Sequence, residues 1–227
     1  MGADRVVRAG LAGTAAISAG LLAWGAVALP RAPRIGAAVE ERLADSGVAQ
    51  PVTAVLLNFR GHDTLVEVAV LLLAAAGVYV MAPVGRASPA ATEPLERGPG
   101  MTPVVGNFSA RLAPMAVLLA AHLWWAGSTL PGGAFQAGTV LAGAAVGLFL
   151  TGRLPARTRH WGLRAGMAAG LVVFLAAAAA PVAAGGAYLE YPPGLAKAVI
   201  VTVEGVLTLS IGACLAALVV GVPPPRP

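Results

Sequence analysis

The stretch Ala196-Lys197-Ala198-Val199-Ile200-Val201-Thr202-Val203-Glu204-Gly205-Val206-Leu207-Thr208-Leu209-Ser210-Ile211-Gly212-Ala213-Cys214-Leu215-Ala216-Ala217-Leu218-Val219-Val220 decides how this chain is read. Its only charged side chains are Lys197 and Glu204. About 20 apolar residues in a helix cross the hydrocarbon core of a bilayer, and this stretch is longer than that. Lipid offers no partners to free backbone groups, so a crossing segment must be a helix or part of a closed barrel. The stretch predicts a transmembrane helix, and Glu204 lies well inside it.

The same pattern recurs upstream. Apolar runs cover about 7–29, 64–82 (preceded by a short apolar piece, 52–59), 108–126, 133–151 and 163–184. With 196–220 they make six candidate spans. The composition agrees: 58% of residues are hydrophobic, 11% are charged, and the mean hydropathy is +0.80. A soluble domain carries about a quarter charged residues. A water-soluble reading would leave large apolar patches uncovered. The expectation is an all-α, polytopic membrane protein of about six helices.

The first run follows Arg5 and Arg8, as a signal peptide would. It is long for a signal core, and Leu29-Pro30-Arg31 is no small-residue cleavage site, so it reads as a retained helix. Between 83 and 103 the composition changes to Pro, Gly, Ser, Thr and charge, which is linker chemistry. The domain reading is a two-helix part over 1–83, a linker over 84–106 and a four-helix part over 107–227. The tail Val222-Pro223-Pro224-Pro225-Arg226-Pro227 cannot continue a helix.

The net charge of +5 comes from fourteen Arg and one Lys against ten acids. The basic residues lie mainly between apolar runs, without a basic, aromatic-rich helix, so nucleic-acid binding is not indicated. With the N-terminus inside, ten basic residues fall on the inner side and five on the outer. The positive-inside rule then predicts a multi-pass protein of the cell (inner) membrane with both termini cytoplasmic. The single Cys214 excludes an internal disulfide framework. Its apolar surroundings read as a buried small hydrophobe.

The densest polar cluster is Asn58-Phe59-Arg60-Gly61-His62-Asp63-Thr64-Leu65-Val66-Glu67. Asp63 and Thr64 suit a helix N-cap, and Glu67 stands within reach of a capping box. Alternatively, Glu67 lies a turn inside the membrane on an ion path, where acids are costly and usually functional. Arg60 is then its natural charge partner, and His62 is either a proton relay or an interfacial hydrogen-bonding residue. Glu204 is too deep in its span to cap a helix. It reads as a proton- or cation-interacting group, or else as a structural polar contact between subunits. Lys197, two turns earlier, is either part of that path or snorkels to the interface. His122 is either a helix–helix hydrogen bond or part of a proton path. Trp124 and Trp125 beside it fit an aromatic belt.

Gly127-Ser128-Thr129-Leu130-Pro131-Gly132-Gly133-Ala134-Phe135-Gln136-Ala137-Gly138 reads as a tight turn opening the fourth span, whose glycines allow close backbone approach and positive φ. No Gly-Lys-Ser/Thr follows, so it is no P-loop. There is no HExxH, no CxxC and no Ser/His/Asp grouping on a nucleophile elbow, so a self-sufficient hydrolase or metalloenzyme is not expected, and no cofactor is indicated.

Two of these segments resemble one family, the Mrp/Mnh multisubunit cation/proton antiporters. Residues 52–67 are similar to a VTAVxxDFRGFDTLGE pattern near the C-terminus of the large A subunit, departing at Asn58, His62 and Val66. Residues 131–138 are similar to the PGGGFQGG turn of the B subunit. The His that usually precedes that turn is Ser128 here. The start of the third span, Ala110-Arg111-Leu112-Ala113-Pro114, and the acid at Glu204 also fit the B pattern. The resemblance implies the tail of an A-type subunit joined to a B-type subunit. It also implies other subunits as partners and a Na⁺/H⁺ antiport assembly in which Glu67 and Glu204 interact with protons or cations. Related modules occur in membrane-bound hydrogenases and relatives of complex I. This leaves a redox-driven pump, or a purely architectural spacer, as alternatives.

Overall fold

The computed structural model describes residues 13, 16–21, 23–25, 27, 35–81, 103–154, 161–192 and 194–221. The chain divides into two compact units, Met1–Glu41 and Arg42–Pro227. In the first, the described residues between 13 and 27 are helical. The expected span over 7–29 is described only at 13, 16–21, 23–25 and 27, about half of its residues. A short helix, α1, runs Ile35–Arg42.

The second unit opens with a 3₁₀ turn, Leu43–Ser46. A short helix follows, α2 at Pro51–Ala54, with Pro51 in its first turn, where the missing N–H costs nothing. It runs into a π-helical turn, Val55–Phe59. The long helices are α3 (Gly61–Met81), α4 (Pro103–Ala126), α5 (Ala134–Leu150), α6 (Trp161–Ala183) and α7 (Ala196–Val220). No strand occurs among the described residues.

Four of these, α3, α4, α6 and α7, are long and apolar enough to cross a membrane. The helical membrane fold holds, but the count of six does not carry over to the described residues. The expected span at 133–151 becomes the 17-residue α5, shorter than a full crossing. Turns consume its ends. Gly133 precedes it at φ +116, and Gly152 follows at φ +68. There Arg153 N–H returns to Leu148 C=O at 2.8 Å and satisfies a terminal carbonyl. The helix expected from 108 instead starts at Pro103, inside the stretch read as linker. Residues 82–102, most of that stretch, lie outside the described residues.

The start of α3 also differs from the sequence reading. Asp63 and Thr64 suggest the N-cap, yet the helix begins at Gly61. The preceding π turn feeds directly into it: Arg60 N–H bonds Val55 C=O at 2.7 Å and Asp63 N–H bonds Arg60 C=O at 2.9 Å. With those donors satisfied by backbone, Asp63 lies in the first turn, facing the positive end of the helix dipole.

The core forms around α7, which packs against α5, α6, α3 and the end of α4. Ile200, Val203, Leu207 and Ile211 of α7 meet Leu65 and Val68 of α3, Phe174 and Ala178 of α6, and Ala134 of α5, all buried. The α5–α7 contact is close because small residues face each other. A Cβ on Gly138 would meet Ile211 Cγ2 at 2.9 Å, and one on Gly212 would meet Gly138 O at 3.2 Å. Membrane helices associate through such small-residue seams, because lipid supplies no hydrophobic drive between them. The outward faces are apolar, with Val70, Leu73, Leu118, Val172, Leu209 and Val219 exposed.

Candidate ion path

Glu204 is the one acidic side chain buried among the described residues, at 3% exposure. It projects from α7 onto the N-terminus of α5. Its Oε1 stands 2.8 Å from where a Cβ on Gly133 would lie, and the backbone N–H of Ala134 hydrogen-bonds the carboxyl group. The first N–H groups of a helix have no internal acceptor, and the helix dipole puts partial positive charge there. Only a residue without a Cβ, at φ +116, lets the carboxyl reach them. The other oxygen, Oε2, is buried without a hydrogen-bond partner. This oxygen can accept a proton, a hydroxyl or a cation without displacing an existing contact.

The surroundings hold this geometry from three sides. The turn before α5 folds on itself, with Gly133 N–H donating to Leu123 C=O at 3.0 Å. Trp124 of α4 donates its indole N–H to Val201 C=O at 2.9 Å, and its ring lies against Gly205, where a Cβ would meet Cζ2 at 2.9 Å. Trp124 is thus an interhelical clamp beside Glu204, not the belt residue suggested by the sequence. Trp125, 69% exposed, keeps that possibility. Finally, residues 43–60 close over the turn. Ala49 and Gln50 donate their N–H groups to Ser128 C=O at 3.0 and 3.2 Å. The buried Thr53 hydroxyl donates to Gly127 C=O at 2.6 Å. Thr53 of the A-type segment thus bonds the chain four residues before the Pro131–Gly138 turn.

A family model described as a domain related to the MnhB subunit of Na⁺/H⁺ antiporters matches residues 104–222, more than half of the chain. The chain belongs to this MnhB-related family. Two solved structures share its fold. In the Mrp complex from Dietzia sp. DQ12-45-1b, a chain 24% identical aligns with a TM-score of 0.64 over 96% of this chain and 26% of that one. This chain thus spans about a quarter of that relative's length. In the membrane-bound sulfane sulfur reductase (MBS), an archaeal respiratory membrane complex, a chain 22% identical aligns with a TM-score of 0.65 over 95% of this chain and 97% of that one. No curated protein sequence matches this chain.

The MnhB-related region contains both Glu204 and the Gly133 turn. The other residues singled out from sequence do not gather around them. Arg60 and Asp63 pair with each other at 2.6 Å, both exposed, so Arg60 answers Asp63 rather than Glu67. His62 and Glu67 are exposed on α3, His122 is exposed on α4, and Lys197 is exposed near the start of α7. Thr64 is buried, but its hydroxyl has no partner and caps nothing. Asn58, which replaces an acid of the A-type pattern, donates its side-chain amide to Ser46 C=O at 3.2 Å. An aspartate could not make that bond.

Outside the spans, Tyr191 is buried in the connection before α7. Burial pushes its phenol up to about 12, with Tyr188 adding a smaller push. It stays neutral at physiological pH and adds no charge to the path.

Proposed function

We propose that this MnhB-related chain is a membrane subunit of a multisubunit Na⁺/H⁺ antiporter and that Glu204 is its proton- or cation-interacting group. The observation that carries the reading is the buried carboxyl seated on the N-terminus of α5 with Oε2 unpartnered. A buried polar atom left without a partner costs about 1–3 kcal/mol. Such a cost is tolerated where the group must receive something during function. The family match and the Mrp-complex fold support the antiporter host. The likenesses to the Mrp and respiratory complexes are both of fold, so it is the family match that favours the antiporter over the redox-driven alternative.

In this reading the residues up to about 83 form an A-type part and residues 107–227 a B-type part. The chain acts as a transporter subunit rather than an enzyme. It sits in the cell membrane with both termini cytoplasmic. Glu67, exposed on α3, then faces another subunit rather than lipid, together with His62 and the Arg60–Asp63 pair. Lys197 and His122, both exposed and apart from Glu204, have no step in this reading.

The test is Na⁺-dependent proton flux in vesicles holding the assembled complex. Glu204→Gln keeps the shape of the side chain and removes its acid. Flux lost with assembly intact supports the path. Unchanged flux with intact assembly leaves Glu204 as a structural contact and the chain as a spacer.

A further inference from the structure

The first turn of α3 carries a second buried polar atom without a partner. Thr64 is 2% exposed, and its hydroxyl, like Glu204 Oε2, has no hydrogen-bond partner among the described residues. Thr139, Thr202 and Thr208 each donate to the carbonyl four residues back in their own helices. Thr64 makes no such bond, because α3 begins at Gly61 and the carbonyl of Arg60 lies outside the helix.

Thr64 lies on the buried stripe of α3 with Gly61, Leu65, Val68 and Ala75. That stripe runs along α7. Leu65 and Val68 share a buried cluster with Val203 and Leu207, and Ala75 shares another with Cys214 and Ala217. Further on, Val78 Cγ1 stands 2.7 Å from where a Cβ on Gly221 would lie. The two helices therefore run side by side in one direction at a constant offset. The same offset puts Thr64 level with the turn from Glu204 to Leu207, so the two unpartnered atoms share a depth inside one helix group.

Two polar atoms suit a small shared ligand. A buried water needs about two to four polar partners, whereas a hard metal cation gathers about six oxygens or more. Glu204 Oε1 is already committed to Ala134 N–H at the positive end of the α5 dipole. That end favours a carboxylate and opposes a metal ion, while a proton neutralises the carboxylate and asks for no further ligands. Among the described residues no other charged side chain is buried beside the pair. His62, Asp63 and Glu67 of α3, His122 of α4, Arg164 of α6 and Lys197 of α7 are exposed, α5 carries no titratable group, and Cys214 lies far along α7. Tyr191, buried in the same cluster as Leu65 and Val203, stays neutral.

We propose that Thr64 holds against Glu204 the water that delivers and removes its proton. The inference rests on the reading of Glu204 as a group of the ion path and names the proton as its ligand. A proton arrives on this water as hydronium. One of its O–H bonds breaks, the bond from that proton to Oε2 forms, and neutral water remains. Thr64 is the positioning residue, and its hydroxyl both donates and accepts, so it holds the water in either state.

The experiment uses the assembled complex in vesicles. Infrared difference spectra identify the carboxyl of Glu204 as the C=O band that Glu204→Gln removes. Thr64→Val keeps the shape of the side chain without its hydroxyl. The expected result is a shifted C=O band and Na⁺-dependent proton flux lowered about tenfold, one hydrogen bond's worth in a barrier. The thermal midpoint stays at or above the parent's, because Val removes a buried hydroxyl that had no partner. Thr64→Ser keeps band and flux. Tyr79→Phe, which removes the unpartnered hydroxyl at the other end of α3, leaves both unchanged. An unchanged band and flux in Thr64→Val overturns the proposal. So does a shift of the Glu204 carboxylate bands when Na⁺ replaces K⁺ at fixed pH, which would put the metal on Oε2. Glu204→Gln without effect on flux, with the band still shifted by Thr64→Val, would keep the bridge and sink the path reading. Flux lost in Glu204→Gln, with Thr64→Val like the parent, would do the reverse.

Discussion

Glu204 Oε1 lies 2.8 Å from the place where a Cβ on Gly133 would stand. An acid from one membrane helix and a glycine from the turn before another are thus held in a relationship that admits no added atom. The φ of +116 at Gly133 disfavours any L side chain even without the clash.

Gly133→Ala should therefore act on Glu204 before it acts on the fold. The methyl either displaces the carboxyl from the α5 N-terminus or forces the turn to rearrange, and the backbone strain alone is about 1–3 kcal/mol. The expected outcome is loss of most Na⁺-dependent proton flux, with the subunit still recoverable in the complex at reduced yield. Flux equal to that of the unmodified complex would show that the seating of Glu204 on Gly133 is not used.

The Trp124–Val201 bond and the Trp124–Gly205 contact can be separated by substitution. Trp124→Phe keeps a ring against Gly205 but loses the indole donor, a change of about 1 kcal/mol. Gly205→Ala keeps the donor but puts a methyl 2.9 Å from the ring, an overpacking cost of about 1–3 kcal/mol. The midpoint of thermal aggregation in mild detergent should fall for both and fall further for Gly205→Ala. The opposite order would mean that the hydrogen bond, not the ring contact, holds α4 to α7.

Thr53→Val tests how the A-type segment is attached. Valine matches the shape of threonine but cannot donate to Gly127 C=O, so a 2.6 Å bond across 74 residues of sequence is lost. The buried carbonyl left behind costs about 1–3 kcal/mol. Protease access to residues 43–60 in detergent should rise, with little change in the protection of α6. Unchanged cleavage would show that the Ser128 backbone bonds suffice.

The membrane class was legible because hydrophobic length is a one-dimensional property. Glu204 was legible for the same reason: a lone acid in an apolar run stands out wherever the helix packs. Its partner was not. Gly133 and Ala134 act through backbone, and a turn sequence does not name the side chain that will sit on it. Trp124 misled for a related reason, since an indole near a helix end suits both a membrane interface and a neighbouring carbonyl, and only packing decides. At Ser128, where the family pattern has His, it is the backbone carbonyl that accepts from the N–H groups of Ala49 and Gln50. A change of side chain therefore leaves that attachment in place. The polar cluster at 58–67 was legible as a cluster, but its side chains diverge. Asn58 turns inward to Ser46 while Arg60, His62, Asp63 and Glu67 face out.

The Arg60–Asp63 pair gives the most discriminating result for that cluster. Both side chains are exposed, at 64% and 49%, and exposed pairs are worth about 0–1 kcal/mol because solvent screens them. In the isolated chain in detergent, Arg60→Gln, Asp63→Asn and the double variant should all unfold within a few degrees of the parent, and added salt should change little. In the assembled complex, a partner covering this face would remove the screening. Breaking one member then strands a charge at a buried interface, which costs about 3–5 kcal/mol. Arg60→Gln and Asp63→Asn should each reduce co-purification of neighbouring subunits, while the double variant recovers part of it. Equal effects of the single and double variants in the complex would show that the pair stays in solvent there, and that this face of α3 is not an interface.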